Sequence, residues 1–103
     1  MIIMRELTRA EEEIMQVLWQ VKKGFVKDIL ERFDDPKPAY NTVSTIVRIL
    51  QEKGFVDHKA YGRTHEYFPI VSKDEYSKSH LNTFVYNYFS NSFGKMVSFF
   101  AEE

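Results

Sequence analysis

Between Pro38 and Gly54 a single stretch of chain carries two stripes at the same helical spacing. Val43, Ile46, Val47 and Leu50 recur at i, i+3, i+4 and i+7, the pattern of a helix that buries one face. Asn41, Ser44, Thr45 and Arg48 follow the same spacing on the other side, and all are short or forked hydrogen-bonding groups. A solvated face is more usually built from Glu and Lys, the stronger helix formers, so small polar residues there point to contact with something polar. The bland alternative is a surface face that has drifted to Ser and Thr. Asp34-Asp35-Pro36-Lys37-Pro38 is a turn by its chemistry and Gly54 is a stop, so the helix is expected over residues 41–53.

A helix with one buried face needs partners, and the flanking sequence supplies them. Thr8 with Glu11 forms a capping box, and behind it Ala10, Ile14, Leu18 and Val21 repeat at helical spacing, joined by Met15, Val17 and Trp19. A first helix is therefore expected over 9–21, ended by Lys22-Lys23-Gly24, with Trp19 on its inner face. A second, over 26–33, would turn Val26, Ile29, Leu30 and Phe33 to the core. After Gly54, residues 55–60 and 64–70 read as two strands around Tyr61-Gly62-Arg63, with Gly62 supplying the positive φ of a tight hairpin. Three helices followed by a hairpin with a basic tip is the order of a winged helix-turn-helix, an α+β fold that is mostly α. In that arrangement the third helix enters a major groove of double-stranded DNA and the hairpin touches the backbone beside it.

The charge agrees once it is read locally. The net charge is −1, yet residues 37–65 hold five basic side chains against two acidic ones, while Glu11-Glu12-Glu13 and Asp34-Asp35 put acid elsewhere. The glutamate run suits the first turn of a helix. With 103 residues the chain has room for one compact core and an appended element. There is no cysteine, which excludes disulfides and thiolate metal sites and fits a reducing cytoplasm. Met1-Ile2-Ile3-Met4 is too short for a signal-peptide core, and no segment approaches the roughly 20 apolar residues of a membrane span. No nucleophile with its base, paired carboxylates or glycine-rich phosphate loop is recognisable, so an enzyme is not expected, and no cofactor is.

Ser72 with Glu75 makes a second capping box opening a helix over 73–89, and Asn91-Ser92 caps a last segment over 93–100. Eight of the sixteen aromatic residues fall after Val71, in less than a third of the chain. A lone helical extension cannot bury them, and a partner surface is the economical explanation. The division expected is a winged-helix domain over 1–71 and a helical dimerisation region over 72–103. Tyr76, Phe84, Tyr88 and Phe89 from the first of its helices, with Phe93, Met96, Phe99 and Phe100 from the second, are its candidate contacts. Packing of these residues back onto the wing domain is the rival.

The opening Leu7-Thr8-Arg9-Ala10-Glu11-Glu12-Glu13-Ile14-Met15-Gln16-Val17-Leu18-Trp19 resembles that of the penicillinase and methicillin-resistance repressors, the BlaI/MecI family. Ala39-Tyr40-Asn41-Thr42-Val43, Leu50-Gln51-Glu52-Lys53-Gly54-Phe55-Val56, and Gly62-Arg63 with Tyr67-Phe68-Pro69 resemble the same family in the same order. The resemblance implies a bacterial homodimeric repressor that binds a palindromic operator upstream of resistance or stress genes. It implies that the helices after the wing form the dimer, and that a signalling protease ends repression by cutting between the two regions. Met96-Val97-Ser98-Phe99-Phe100-Ala101 resembles the cleavage segment at its end, with Phe99 where the family has Asn, and this puts the bond at Phe99-Phe100. Family members generally continue for one more helix, so the dimerisation region is expected to lack a final helix.

Matched to the family's helix positions, Asn41, Thr42, Ser44, Thr45 and Arg48 are the expected base readers. Arg48 can reach guanine or a phosphate, Asn41 can pair with adenine or hold backbone, and hydroxyl methyls can touch thymine. Lys53, Lys59 and Arg63 are expected on phosphates, with Tyr40 and Tyr61 donating through their hydroxyls. His58 and His65 would face each other across the hairpin if its loop is Tyr61-Gly62. Two nitrogens do not complete a metal site, and copper-responsive relatives rely on cysteines that are absent here, so no metal is expected. Two other readings remain open from sequence: a winged-helix module that binds protein, and a repressor gated by a metal or ligand.

Overall fold

The structure, a computed structural model, describes residues 5–102. The reading of residues 1–4 as too short for a signal core lies outside them. The element order is α1 (Arg9–Val21), α2 (Val26–Leu30), α3 (Tyr40–Glu52), β1 (Val56–Tyr61), β2 (Thr64–Pro69), α4 (Lys73–Tyr88) and α5 (Phe93–Ala101). The chain divides into a unit over Arg5–Lys73 and a second from Asp74 onward. The order is that of a winged helix, mostly helical with one antiparallel hairpin.

In the first unit α1 starts where its capping box dictates. The Thr8 N–H donates to Glu11 Oε1 at 2.7 Å, and the Glu11 N–H donates to Thr8 Oγ1 at 3.2 Å. Its end differs from expectation. Lys22, not Gly24, takes a positive φ (73°) and closes the helix with an N–H to Leu18 O bond of 2.7 Å. Gly24 is instead a third strand in miniature, exchanging two backbone bonds of 2.9 and 2.8 Å with Tyr67. α2 is also shorter than its apolar spacing suggests. After Leu30 the bonding tightens to i−3, with Arg32 N–H on Ile29 O and Phe33 N–H on Leu30 O, both at 3.1 Å.

Ile14, Met15 and Leu18 of α1 and Ile29 of α2 pack with Val43, Val47 and Leu50 of α3, and Phe55, Val56 and Tyr67 close this core from the hairpin side. α3 ends in the hydrogen-bond pattern of a Schellman cap. Gly54 (φ 85°) donates to Gln51 O at 3.0 Å and Phe55 donates to Leu50 O at 2.9 Å, while the Phe55 and Leu50 side chains are both buried. The strands pair Val56 with Pro69 through to Tyr61 with Thr64, leaving a two-residue loop of Gly62 and Arg63, one residue tighter than expected. Gly62 adopts φ 63°, as the first loop residue of such a turn requires. Trp19 is half-buried, and its indole N–H donates to Val71 O at 2.9 Å, tying α1 to the end of the wing.

In the second unit Ser90 and Asn91 both take positive φ (50° and 58°) and join α4 to α5. The Asn91 N–H reaches Val85 O at 3.1 Å, and Ser92 Oγ accepts from the Lys95 N–H at 3.2 Å to cap α5. Val85 and Met96 are buried. Met96 was expected at a partner surface; its burial within one chain makes it an interior residue of this unit. Leu81, Phe84 and Tyr88 of α4 are exposed, as are Phe93, Val97 and Phe100 of α5. Each trio keeps the spacing of one helical face.

Candidate nucleic-acid interface

α3 is held by its inner stripe so completely that its outer stripe has no freedom to turn inward. Val43, Val47 and Leu50 are fully buried and Ile46 is half-buried, while Asn41, Thr42, Thr45 and Arg48 are exposed and Ser44 is half-buried. The five residues expected to read bases thus share one accessible face. The Arg48 guanidinium lies back along its own helix, with Nε 3.4 Å from Ser44 O and Nη2 3.5 Å from Thr45 Oγ1. Both contacts are at the long end of hydrogen bonding, so little holds the fork away from another acceptor.

The hairpin stands beside this face. Lys59 and Arg63 are exposed, and Lys59 Nζ sits 5.4 Å from the centre of the Tyr61 ring. Tyr61 in turn meets Phe25 edge-on at 5.9 Å, so the wing is braced on the residue that opens α2. Tyr40, the first residue of α3, is exposed, and Tyr67 is buried behind it. Burial pushes the Tyr67 phenol above its ordinary value; the Arg48 charge works against this and Tyr40 adds to it. Between α2, the start of α3 and the wing tip lies an open groove of about 410 Å³. Phe25, Val26 and Tyr67 contribute apolar surface to it, and Lys27, Arg63 and His65 bring nitrogen.

Lys53, expected on a phosphate, is instead paired with a carboxylate. Its ammonium is 2.7 Å from Glu11 Oε1 and 3.1 Å from Glu6 O, with only 14% of its side chain exposed against 5% for Glu11. Periodicity registered the charge but could not see that α1 brings a carboxylate to it. Burial raises the Glu11 pKa, but the Lys53 hydrogen bond and charge, with the bonds to Thr8, outweigh it and hold the carboxyl below its ordinary value. Glu11 is therefore more than a favourable first-turn charge.

The two wing histidines are not directly opposite. His58 pairs with Tyr67 and His65 with Ala60, a diagonal relation that stacks the imidazoles at 4.1 Å and 10°. Face-to-face rings keep their nitrogen lone pairs in parallel planes and do not aim them at a common ion. His58 Nδ1 is 2.8 Å from Gln51 Oε1, and the Gln51 amide is oriented by Asp57, 3.4 Å away. Among the described residues no group of three or more His, Cys, Asp or Glu is placed to hold a metal. Lys27 is the groove residue that sequence reasoning overlooked, because helical spacing put it on the outside of a short helix and nothing local tied it to the wing.

A helix-turn-helix core presenting a small-polar helix face beside a two-stranded, basic-tipped wing defines the winged helix-turn-helix class. Residues 7–103 match the profile of the penicillinase repressor family, and the chain belongs to that family. It is 25% identical over 99 residues to the methicillin resistance regulatory protein MecI of Staphylococcus aureus strain N315, covering 95% of this chain and 80% of that protein. To the penicillinase repressor of Bacillus licheniformis it is 22% identical over 98 residues, covering 94% and 77%. The solution structure of the DNA-binding domain of the repressor BlaI superposes with a TM-score of 0.61 at 23% identity, over 74% of this chain and 94% of that one. The family is one of repressors rather than catalysts, in agreement with the lack of an enzyme motif.

Proposed function

We propose that this chain is a sequence-specific, DNA-binding transcriptional repressor that acts as a homodimer on a two-fold symmetric operator. The observation that carries the reading is the exposed stripe Asn41, Thr42, Thr45 and Arg48, with Ser44 beside it, fixed by the buried stripe Val43, Val47 and Leu50. Such a helix offers donors and acceptors to base edges while Lys59 and Arg63 of the wing reach the backbone, with Tyr40 and Tyr61 as hydroxyl donors. The homodimer is supported by the exposed aromatic faces of α4 and α5. No helix among the described residues is long and apolar enough to cross a membrane, and double-stranded DNA is the partner this surface fits.

Relief of repression by a signalling protease at Phe99-Phe100 is part of the same proposal. That bond lies inside α5 and both side chains are exposed, so a protease that takes an extended substrate has to unwind the last turn first.

Selection of bound duplexes from a random pool, followed by gel shift on the winner, tests the reading. Arg48→Ala is expected to weaken binding by about 1–3 kcal/mol, roughly five- to 150-fold, and to relax preference at one base pair per half-site. Equal binding by wild type and variant would refute the assignment of Arg48. Failure to select any duplex would favour a protein partner for this surface.

A further inference from the structure

We propose that the groove between α2, the start of α3 and the wing tip is a seat for one phosphodiester of the DNA backbone, with Lys27 as a cation of that seat. The inference rests on the DNA-binding reading and adds to it a contact that α3 and the wing do not make by themselves.

Three features of the groove carry it. Its walls hold Lys27 and Arg63, two permanent positive charges from separate elements, and no carboxylate, in a chain with fifteen acidic residues. Asp28, next in sequence to Lys27, does not line the groove, and its Oδ2 accepts the Phe25 N–H at 3.0 Å. Tyr40 and Ser44 add hydroxyls to the same walls, so charge and neutral donors converge as an oxyanion with several unprotonated oxygens requires, while the Thr64 hydroxyl is spent on Tyr61 O at 2.8 Å. The apolar floor suits the sugars on either side of a phosphate better than it suits a small hydrated anion.

Position selects the backbone as the source. Ser44 belongs both to the reading face of α3 and to the groove, so a strand whose bases lie on that face runs its sugar-phosphate edge along the groove. Arg63 and Tyr40 were expected on phosphates separately; the groove makes them two sides of one seat and Lys27 its third. Lys27 is exposed and outside the core, so its replacement leaves the fold intact.

The test is the salt dependence of binding to the selected duplex, since each phosphate neutralised contributes about 0.9 to the slope of log affinity against log salt. Lys27→Gln is expected to reduce that slope by about one and to weaken binding by a similar factor on every duplex, leaving the penalty for a mismatched base pair unchanged. Lys27→Arg is expected to restore the slope, and Lys23→Gln, exposed and not among the residues that line the groove, to leave it as in wild type. A wild-type slope in Lys27→Gln overturns the seat while leaving the repressor reading intact. A wild type that selects no duplex overturns the reading and the seat together. Inorganic phosphate titrated without DNA separates the sources: saturable shifts of the Lys27, Ser44 and Thr64 amides together with an unchanged slope in Lys27→Gln would assign the groove to a free phosphate and overturn the backbone assignment.

Discussion

Arg48 and Lys53 carry the same charge on neighbouring turns of α3 and its cap and meet opposite surroundings. Arg48 is exposed with weak contacts to its own helix, whereas Lys53 is clamped between Glu11 and the Glu6 carbonyl. Breaking a nearly buried pair from one side leaves an uncompensated charge, and Lys53→Met is expected to lower unfolding stability by about 3 kcal/mol. Because the folded Glu11 pKa is held below its unfolded value, the stability it contributes is fully present above the ordinary glutamate range and is lost as pH falls through the folded value. Urea unfolding of wild type and Lys53→Met at a series of pH values should therefore give two curves that differ at neutral pH and converge under acid. A constant gap would mean that Glu11 is not the partner that matters. The salt slope of DNA binding should be unchanged in this variant, which distinguishes a structural lysine from a phosphate contact. Sequence could place Asn41, Thr42, Thr45 and Arg48 on the exposed side of α3 because periodicity fixes a side chain's face. It could not separate Arg48 from Lys53, because that difference comes from α1, forty-two residues away in the chain.

The elements were most legible where local chemistry sets their ends. Thr8 and Glu11 fixed the start of α1, Gly54 the end of α3 and Gly62 the hairpin turn, each through a hydrogen bond or a backbone angle decided within a few residues. They were least legible where tertiary pairing takes over. Nothing near Gly24 announces that it will pair with Tyr67, and the C-terminal turn of the second helix gives way to i−3 bonding although Phe33 keeps the apolar spacing. The two glycines offer a direct comparison. A Cβ on Gly54 would meet nothing within 4 Å, so the cost of alanine there is the left-handed backbone alone. That cost is about 1–2 kcal/mol for an L-residue. Gly24 has no positive φ, and a Cβ there would make ordinary contact with Asp28 Cβ at 3.4 Å. Thermal unfolding should show Gly54→Ala lowering stability by about 1 kcal/mol or more and Gly24→Ala by less, and the reverse order would show that the sheet bridge, not the helix cap, limits this end of the wing.

At the scale of the whole molecule, the aromatic faces of α4 and α5 decide what a single winged helix can accomplish. In the proposed mode one α3 serves one half-site, and the free energy available from a few base contacts and phosphates is small against the excess of non-specific DNA. Joining two copies makes the second half-site an intramolecular event and raises affinity by about 10²–10⁴ without any new base contact, provided the half-sites lie roughly 34 Å apart or a multiple of it. Phe93, Val97 and Phe100 leave an apolar face on α5 exposed in one chain, while Met96 and Val85 hold the interior of that unit. A charge on the outer face should therefore separate association from folding. Val97→Glu is expected to keep the helical content of wild type and to sediment as a monomer at concentrations where wild type is a dimer. It should bind a single half-site as wild type does, and lose about two orders of magnitude or more on the paired site. If Val97→Glu stays dimeric, the self-association surface lies elsewhere. If wild type itself sediments as a monomer yet binds the paired site no better than the half-site, the exposed aromatics serve a different protein, and repression by this chain depends on that partner.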